Sequence, residues 1–341
     1  MPHNTYKFKT IKERLLTSTS AVAGLSVLGI GLASVFNPIA LGAVGAYSAY
    51  KYGSSALMAI PPYKRWAMNR MVKKGHAKAL PEDAPVSLMA KDISDSLGRP
   101  KAPKVYTIDV STVAEIALPL GMRWLAKLRP VQDSISREAM HKVFAAAPGA
   151  NVLLTTKEAL ATTPEKEMRF IIAHEMSHLK TDAFSPSIFA RSIIKNTTQP
   201  LILAAGVATG LSLFGVGLPL TLGLSAIKAL GAVIAIQYAA KATAHFGMRV
   251  VERRADRNAL YITRDMDGAQ KAMDHLHDGK QRKAMSIFKE AVQTHPSYLP
   301  RKAALLKSFN AVSKYPPLQP VNDNTAEQKP EKAKVAEQKV S

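Results

Sequence analysis

The 341 residues suffice for one large domain or two ordinary ones, and at 21% charged the chain is too apolar for a disordered polymer. Zero cysteines exclude a disulfide framework, a cysteine nucleophile and any thiolate metal site. Forty-six basic against 25 acidic residues leave a formal charge of +21, which invites a nucleic-acid role, but charged and apolar residues are segregated along the chain, and this excludes an ordinary soluble globule.

Residues 15–50 form a run of 36 without a single charge. A spanning helix needs about 20 apolar residues to cross roughly 30 Å of hydrocarbon, so the run is too long for one span. Asn37-Pro38 breaks it near its centre, and a snorkelling Lys51 lets the second helix reach about Ile60. Two membrane segments are expected, 17–36 and 39–60. One bent core helix, or a hairpin lying on the membrane, is the alternative. Lys7, Lys9, Lys12 and Arg14 ahead of the run also fit a signal peptide, against which a second apolar segment follows at once.

Residues 61–80 carry Lys64, Arg65, Arg70, Lys73, Lys74 and Lys78 and no acid. With the basic first fourteen residues, they place both termini and the polar segments in the cytoplasm by the positive-inside rule. Such juxtamembrane cations hold anionic lipid headgroups. Membrane placement thereby accounts for the basicity, and no nucleic-acid partner is expected.

Two segments alternate at period two and read as strands, Lys104–Val110 and Asn151–Thr156. Thr162-Thr163-Pro164-Glu165 is a helix start with a hydroxyl cap, an early proline and first-turn acid. The helix continues through Met168, Ile171, Ile172 and Leu179, whose spacing buries one face. On it lie His174-Glu175-Met176-Ser177-His178. The i, i+4 spacing puts both imidazoles on one face, within reach of one tetrahedral metal ion, and Glu175 beside the open position can take a proton from polarised water.

Residues 196–227 are a second uncharged run, broken between Gly215 and Pro219, which gives segments 199–218 and 224–245. Small residues such as Gly206 and Gly210 favour tight helix packing in lipid. Two histidines do not hold a catalytic zinc alone. The best further ligand is Glu252, in a helix continuing out of the fourth segment, with Asp256 one turn on to take the free ring N–H of a ligand histidine. If His174, His178 and Glu252 share one ion, the chain between them crosses the membrane an even number of times, as a hairpin does. Taken alone, Glu252 and Asp256 also fit a solvated helix face. His295 and Arg301 are suitable donors to a developing oxyanion, or else a loop histidine and a surface arginine. From Pro316 onward no large apolar face exists and disorder is expected.

The run Asn151–Lys180 with its HEMSH, then VERRADRNAL at 251–260, then THPSYLPR ending at Arg301, resemble the HtpX and CAAX-prenyl-protease family of integral-membrane zinc metallopeptidases, and its HtpX-like branch most. The resemblance implies one zinc held by His174, His178 and Glu252, Glu175 as general base, Asp256 behind the ligands, and His295 and Arg301 as substrate or transition-state contacts. It departs at Ser177, where the family usually has glycine, and in the preceding strand, which appears only as Val143-Phe144-Ala145.

The expectation is therefore a mainly α, α+β polytopic membrane protein with four membrane helices in two hairpins and a gluzincin-like zinc-protease domain with a small β-sheet. Its parts are a membrane hairpin (1–60), the first part of the protease domain (61–198), a second hairpin (199–245), the second part (246–315) and a disordered tail (316–341). The expected function is a zinc endopeptidase in a bacterial inner membrane, catalytic side cytoplasmic, with substrate peptide extended beside the 151–156 strand. By resemblance its partners are misfolded membrane proteins, besides membrane lipids. The alternatives are a catalytically silent scaffold of the same fold, a CAAX-type protease, and a basic membrane-anchored lipid- or nucleic-acid-binding protein.

Overall fold

The computed structural model describes residues 6–35, 61–99, 101–108, 144–147, 151–181, 220–276 and 298–318, with helical positions 186, 190, 193, 194, 197, 198 and 202. Helix α1 spans Ile11–Val35. It opens with a capping box: Thr10 N–H donates to Glu13 Oε2 at 2.8 Å, and Glu13 N–H donates to Thr10 Oγ1 at 3.2 Å. Among the described residues, Ile11–Ala33 is the one helix long and apolar enough to cross a membrane. The expected segment 39–60 lies outside the described residues, as does 199–218 apart from helical position 202.

The expected segment 224–245 is helical, but as the first half of a 44-residue helix, α6 (Leu220–Thr263), about 66 Å long at 1.5 Å per residue. Helix α1 runs antiparallel along it: Glu13 meets Arg257, Gly24 meets Ala240 and Ala244, and Gly31 meets Ile236. A Cβ on Gly24 would sit 3.0 Å from the Ala240 carbonyl oxygen, so the small side chain sets the approach. Ala21, Leu28 and Leu32 close this seam with Val233, Ala240, Ala244, Ala190 and Ile194. The outer faces stay apolar, with Leu15, Val22 and Ile30 of α1 and Ile234 and Phe246 of α6 all exposed.

The remaining elements are helix α2 (Pro61–Lys73), strand β1 (Ala77–Ala79), helix α3 (Pro85–Ser96), strands β2 (Lys104–Ile108), β3 (Phe144–Ala147) and β4 (Val152–Thr155), and helices α4 (Lys157–Thr162), α5 (Glu165–Thr181), α7 (Met266–Leu276) and α8 (Tyr298–Val312). The sheet order is β1-β2-β4-β3, with β2 and β4 parallel and the outer pairs antiparallel. Strand β4 is shorter than expected at both ends for local reasons. Asn151 turns left-handed (φ 55°), its carboxamide held by Arg99 and the carbonyls of Lys101 and Ala102. Thr156 leaves the ladder to cap α4, accepting from Ala159 N–H.

Strand β4 is interior, with β2 on one edge and β3 on the other. This corrects the expectation that substrate lies beside residues 151–156, because no backbone edge is left there. Among the described residues, β3 offers the unpaired edge on that side. The hydroxyl cap expected for α5 also differs. Thr162 Oγ1 donates back to the Glu158 carbonyl, and Thr163 Oγ1 finds no hydrogen-bond partner among the described residues. First-turn Glu165 and Glu167 complement the helix dipole instead.

Helix α5 is buried on more than the one expected face. Phe170 and Met176 are as buried as Ile171, Ile172 and Leu179, because α5 is packed between β3 and α3 on one side and α6 and α7 on the other. Ile93, Leu260, Met273 and Leu305 complete this core. Packing against four elements fixes the rotamers of the buried residues that α5 carries to the site.

Candidate metal centre

Helix α5 puts His174 and His178 one turn apart on the face turned to α6. Their Nε2 atoms lie 3.2 Å apart. Glu252, on the second half of α6, brings Oε2 to 3.6 Å from His174 Nε2 and Oε1 to 3.7 Å from His178 Nε2. Tetrahedral zinc with bonds of about 2.0–2.1 Å has ligand–ligand edges of about 3.3 Å, so these donors fit that ion in type and spacing. These three residues form the metal-type group found among the described residues.

Asp256, one helical turn beyond Glu252, places Oδ1 2.8 Å from His174 Nδ1. Nδ1 thereby faces Asp256, and Nε2 is the ring atom that faces Glu252 and His178. Asp256 is in turn gripped by Arg301 of α8, whose Nε and Nη2 both donate at 2.7 Å. All four of His174, Glu252, Asp256 and Arg301 are buried. Burial disfavours a charged His174, yet hydrogen bonds to Asp256 and Glu252 more than offset it and push the ring up to about 10. Burial likewise acts to raise Asp256, and the Arg301 guanidinium holds it well below the carboxylate range. The cavity between α5 and α6 thus has the potential of a cation site.

Glu175 is half-buried and turns to the sheet side, where it lines a narrow apolar crevice with Val86, Val105, Leu153, Thr155 and Ile172. The two expected histidines, the expected glutamate and the aspartate behind them are therefore brought together. Arg301 is not a surface arginine. Nor are its Nε and Nη2 turned to a substrate, as the oxyanion expectation supposed, because both are spent on Asp256. His295 lies outside the described residues. Ser177 and Asn258, polar residues that carry no periodic signal, join α5 to α6 directly, with Asn258 Nδ2 donating to Ser177 Oγ at 2.7 Å.

Two histidines one turn apart, a carboxylate from a second helix and a second carboxylate orienting the first ring define a single-metal hydrolase-type centre. The profile of peptidase family M48 matches residues 125–308, more than half of the chain and a span that encloses every residue of this centre. The chain belongs to peptidase family M48, whose members are zinc metallopeptidases. No curated protein and no solved structure matches it.

Proposed function

We propose that the chain is a zinc-dependent endopeptidase of the HtpX-like branch, anchored in a bacterial inner membrane with its catalytic domain on the cytoplasmic side. The observation that carries the hydrolase part is the convergence of His174, His178 and Glu252 at edges of 3.2, 3.6 and 3.7 Å. Zinc held by these three residues would supply Lewis acidity, enough to polarise a scissile carbonyl and to let water lose a proton near neutral pH. Glu175 accepts that proton and passes it to the leaving amine. Asp256, clamped by Arg301, keeps His174 in the ligating tautomer, so Arg301 acts through Asp256. His295 donates to the developing oxyanion. Substrate backbone adds to the edge of β3 that is unpaired among the described residues.

The membrane part is supported by the apolar outer faces of α1 and α6, which suit lipid better than water. Antiparallel pairing puts Lys7, Lys9, Lys12 and Arg14 at the same end of the α1–α6 pair as Glu252, as a cytoplasmic active site requires. Gln237 Nε2 donates to Thr198 Oγ1, a polar tie suited to the second of two hairpins. On this reading the spans are 17–36, 39–60, 199–218 and 224–245, and the substrates are misfolded or excess membrane proteins. The test is zinc content and casein cleavage of purified protein. One zinc per chain is expected, lost in Glu252→Ala. Glu175→Gln should keep its zinc and stop cleaving. Full occupancy in Glu252→Ala would remove the third ligand.

A further inference from the structure

Ahead of α1, residues 6–9 form a strap lying across α5 and α6 beside the ligands. The Tyr6 ring stacks on Tyr261 at 3.7 Å and 12°, and meets Phe8 and Tyr315 edge-on. Arg257 Nε donates to the Tyr6 hydroxyl at 3.1 Å, and its Nη1 donates to Glu13 at 2.7 Å. Lys9 Nζ donates to the Thr181 carbonyl near the end of α5, and Lys180 Nζ lies 4.1 Å from the Phe8 ring centroid. The strap therefore holds both ligand helices and continues directly into the capping box of α1. It also lies outside the residues that the family profile matches.

Its polar centre is Asn258, fully buried. Tyr6 OH donates to Asn258 Oδ1 at 2.7 Å, while Nδ2 donates to the Phe8 carbonyl at 3.0 Å and to Ser177 Oγ at 2.7 Å. Arg257 can only donate, so the single Tyr6 proton is committed to Asn258. That commitment fixes which way the carboxamide points: a flipped amide would set its oxygen against the Phe8 carbonyl and take a donor from Ser177. Ser177 immediately precedes His178, and Asn258 lies two residues past Asp256. The tie between them spans α5 and α6 within about two turns of every ligand. Neither group is open to water that could replace it.

We propose that Tyr6 and Phe8, acting through Asn258 and Ser177, form a positioning device that sets the separation of the two ligand helices and so the retention of the metal. This rests on the reading of His174, His178 and Glu252 as ligands. Tyr6 and Asn258 are positioning residues that do not touch the ion. The N-terminal segment thereby governs a metal centre whose first ligand lies more than 160 positions further along the chain.

The test is the rate at which full-length, zinc-loaded protein in detergent releases its metal to a chromophoric chelator. Disturbing the partners of ligands costs roughly 10- to 100-fold in metal affinity, and the low end is expected here. Asn258→Ala should release zinc about 10-fold faster and Tyr6→Phe several-fold faster. Because Tyr6 acts through Asn258, the double variant should release no faster than Asn258→Ala alone. Additive release rates would overturn the device, since they mean two independent structural losses. So would release at the wild-type rate in both single variants while the wild type holds one zinc that His174→Ala loses, and the metal centre would then stand without the strap. A wild type that holds no zinc would sink both. Should Asn258→Ala fail to fold, Tyr6→Phe, which keeps the ring and its stack, decides alone.

Discussion

The two halves of α6 share one backbone geometry and are held by opposite chemistry. Its first half meets α1 through Val233, Ala240 and Ala244, small or apolar side chains packed at close range. Its second half buries Glu252, Arg254, Asp256 and Asn258 within seven positions. In the first half stability is spread over many weak contacts, each replaceable by a neighbour of similar volume. In the second, Asp256 and Asn258 each depend on specific partners, and losing one leaves another stranded. The contrast teaches where function sits: the half that is costly to bury is the half that holds the ligands.

The largest expected effect comes from breaking one partnership in the polar half. Asp256→Ala leaves the Arg301 guanidinium buried without its carboxylate, and should cost about 3–5 kcal/mol in thermal unfolding in detergent. Replacing both residues, as Asp256→Leu with Arg301→Met, should recover part of that stability without restoring zinc binding. The exposed pair Arg169–Asp92, with side chains 46% and 55% accessible, is the control, and Asp92→Ala should stay within about 1 kcal/mol. Equal costs for Asp256→Ala and Asp92→Ala would erase the difference between the halves.

In the apolar half the sharpest probe is a pair of glycines. A Cβ at Gly24 meets the Ala240 backbone 3.0 Å away, whereas one at Gly29 meets nothing within 4 Å. Gly24→Ala should therefore separate the helices and cost about 1–3 kcal/mol. Gly29→Ala should be neutral or stabilising by up to about 1 kcal/mol, the helix-propensity gain of alanine over glycine. Measured side by side, the Gly24→Ala midpoint must fall while that of Gly29→Ala holds or rises, or the seam is not set by Gly24. A smaller effect is expected where the apolar half carries a polar tie. Gln237→Leu removes the bond to Thr198 and should cost only about 0.6 kcal/mol.

The same division explains what the sequence made legible. His174, Glu175 and His178 could be read because helical periodicity alone puts them on and beside one face. Glu252 and Asp256 needed one further step, the requirement of a third protein ligand, met by two acids on one face of a distant helix. Arg301 could be noted only by residue type, since nothing local ties residue 301 to residue 256. The interior place of β4 was not legible, because two strands of equal pattern do not declare which edges they share. Tyr6 and Asn258 are 252 positions apart and carry no periodic signal, so only the folded chain brings them together.

That last pair gives the most delicate probe of the polar half, through pH. Burial raises Tyr6, while the Arg257 charge and hydrogen bond act the other way, and Glu13 and Tyr261 add to the rise. The phenol is thereby pushed up to about 12 from an ordinary value of 10.0. The folded state thus favours the neutral phenol, the form that can donate to Asn258. Its contribution to stability is complete below pH 10 and is lost as pH rises through about 12. An alkaline titration followed by phenolate absorbance should show one tyrosine ionising near pH 12 in the wild type and missing from Tyr6→Phe. Ionisation of that tyrosine near 10 would mean the hydroxyl is not donating, and the carboxamide of Asn258 would then be free to turn.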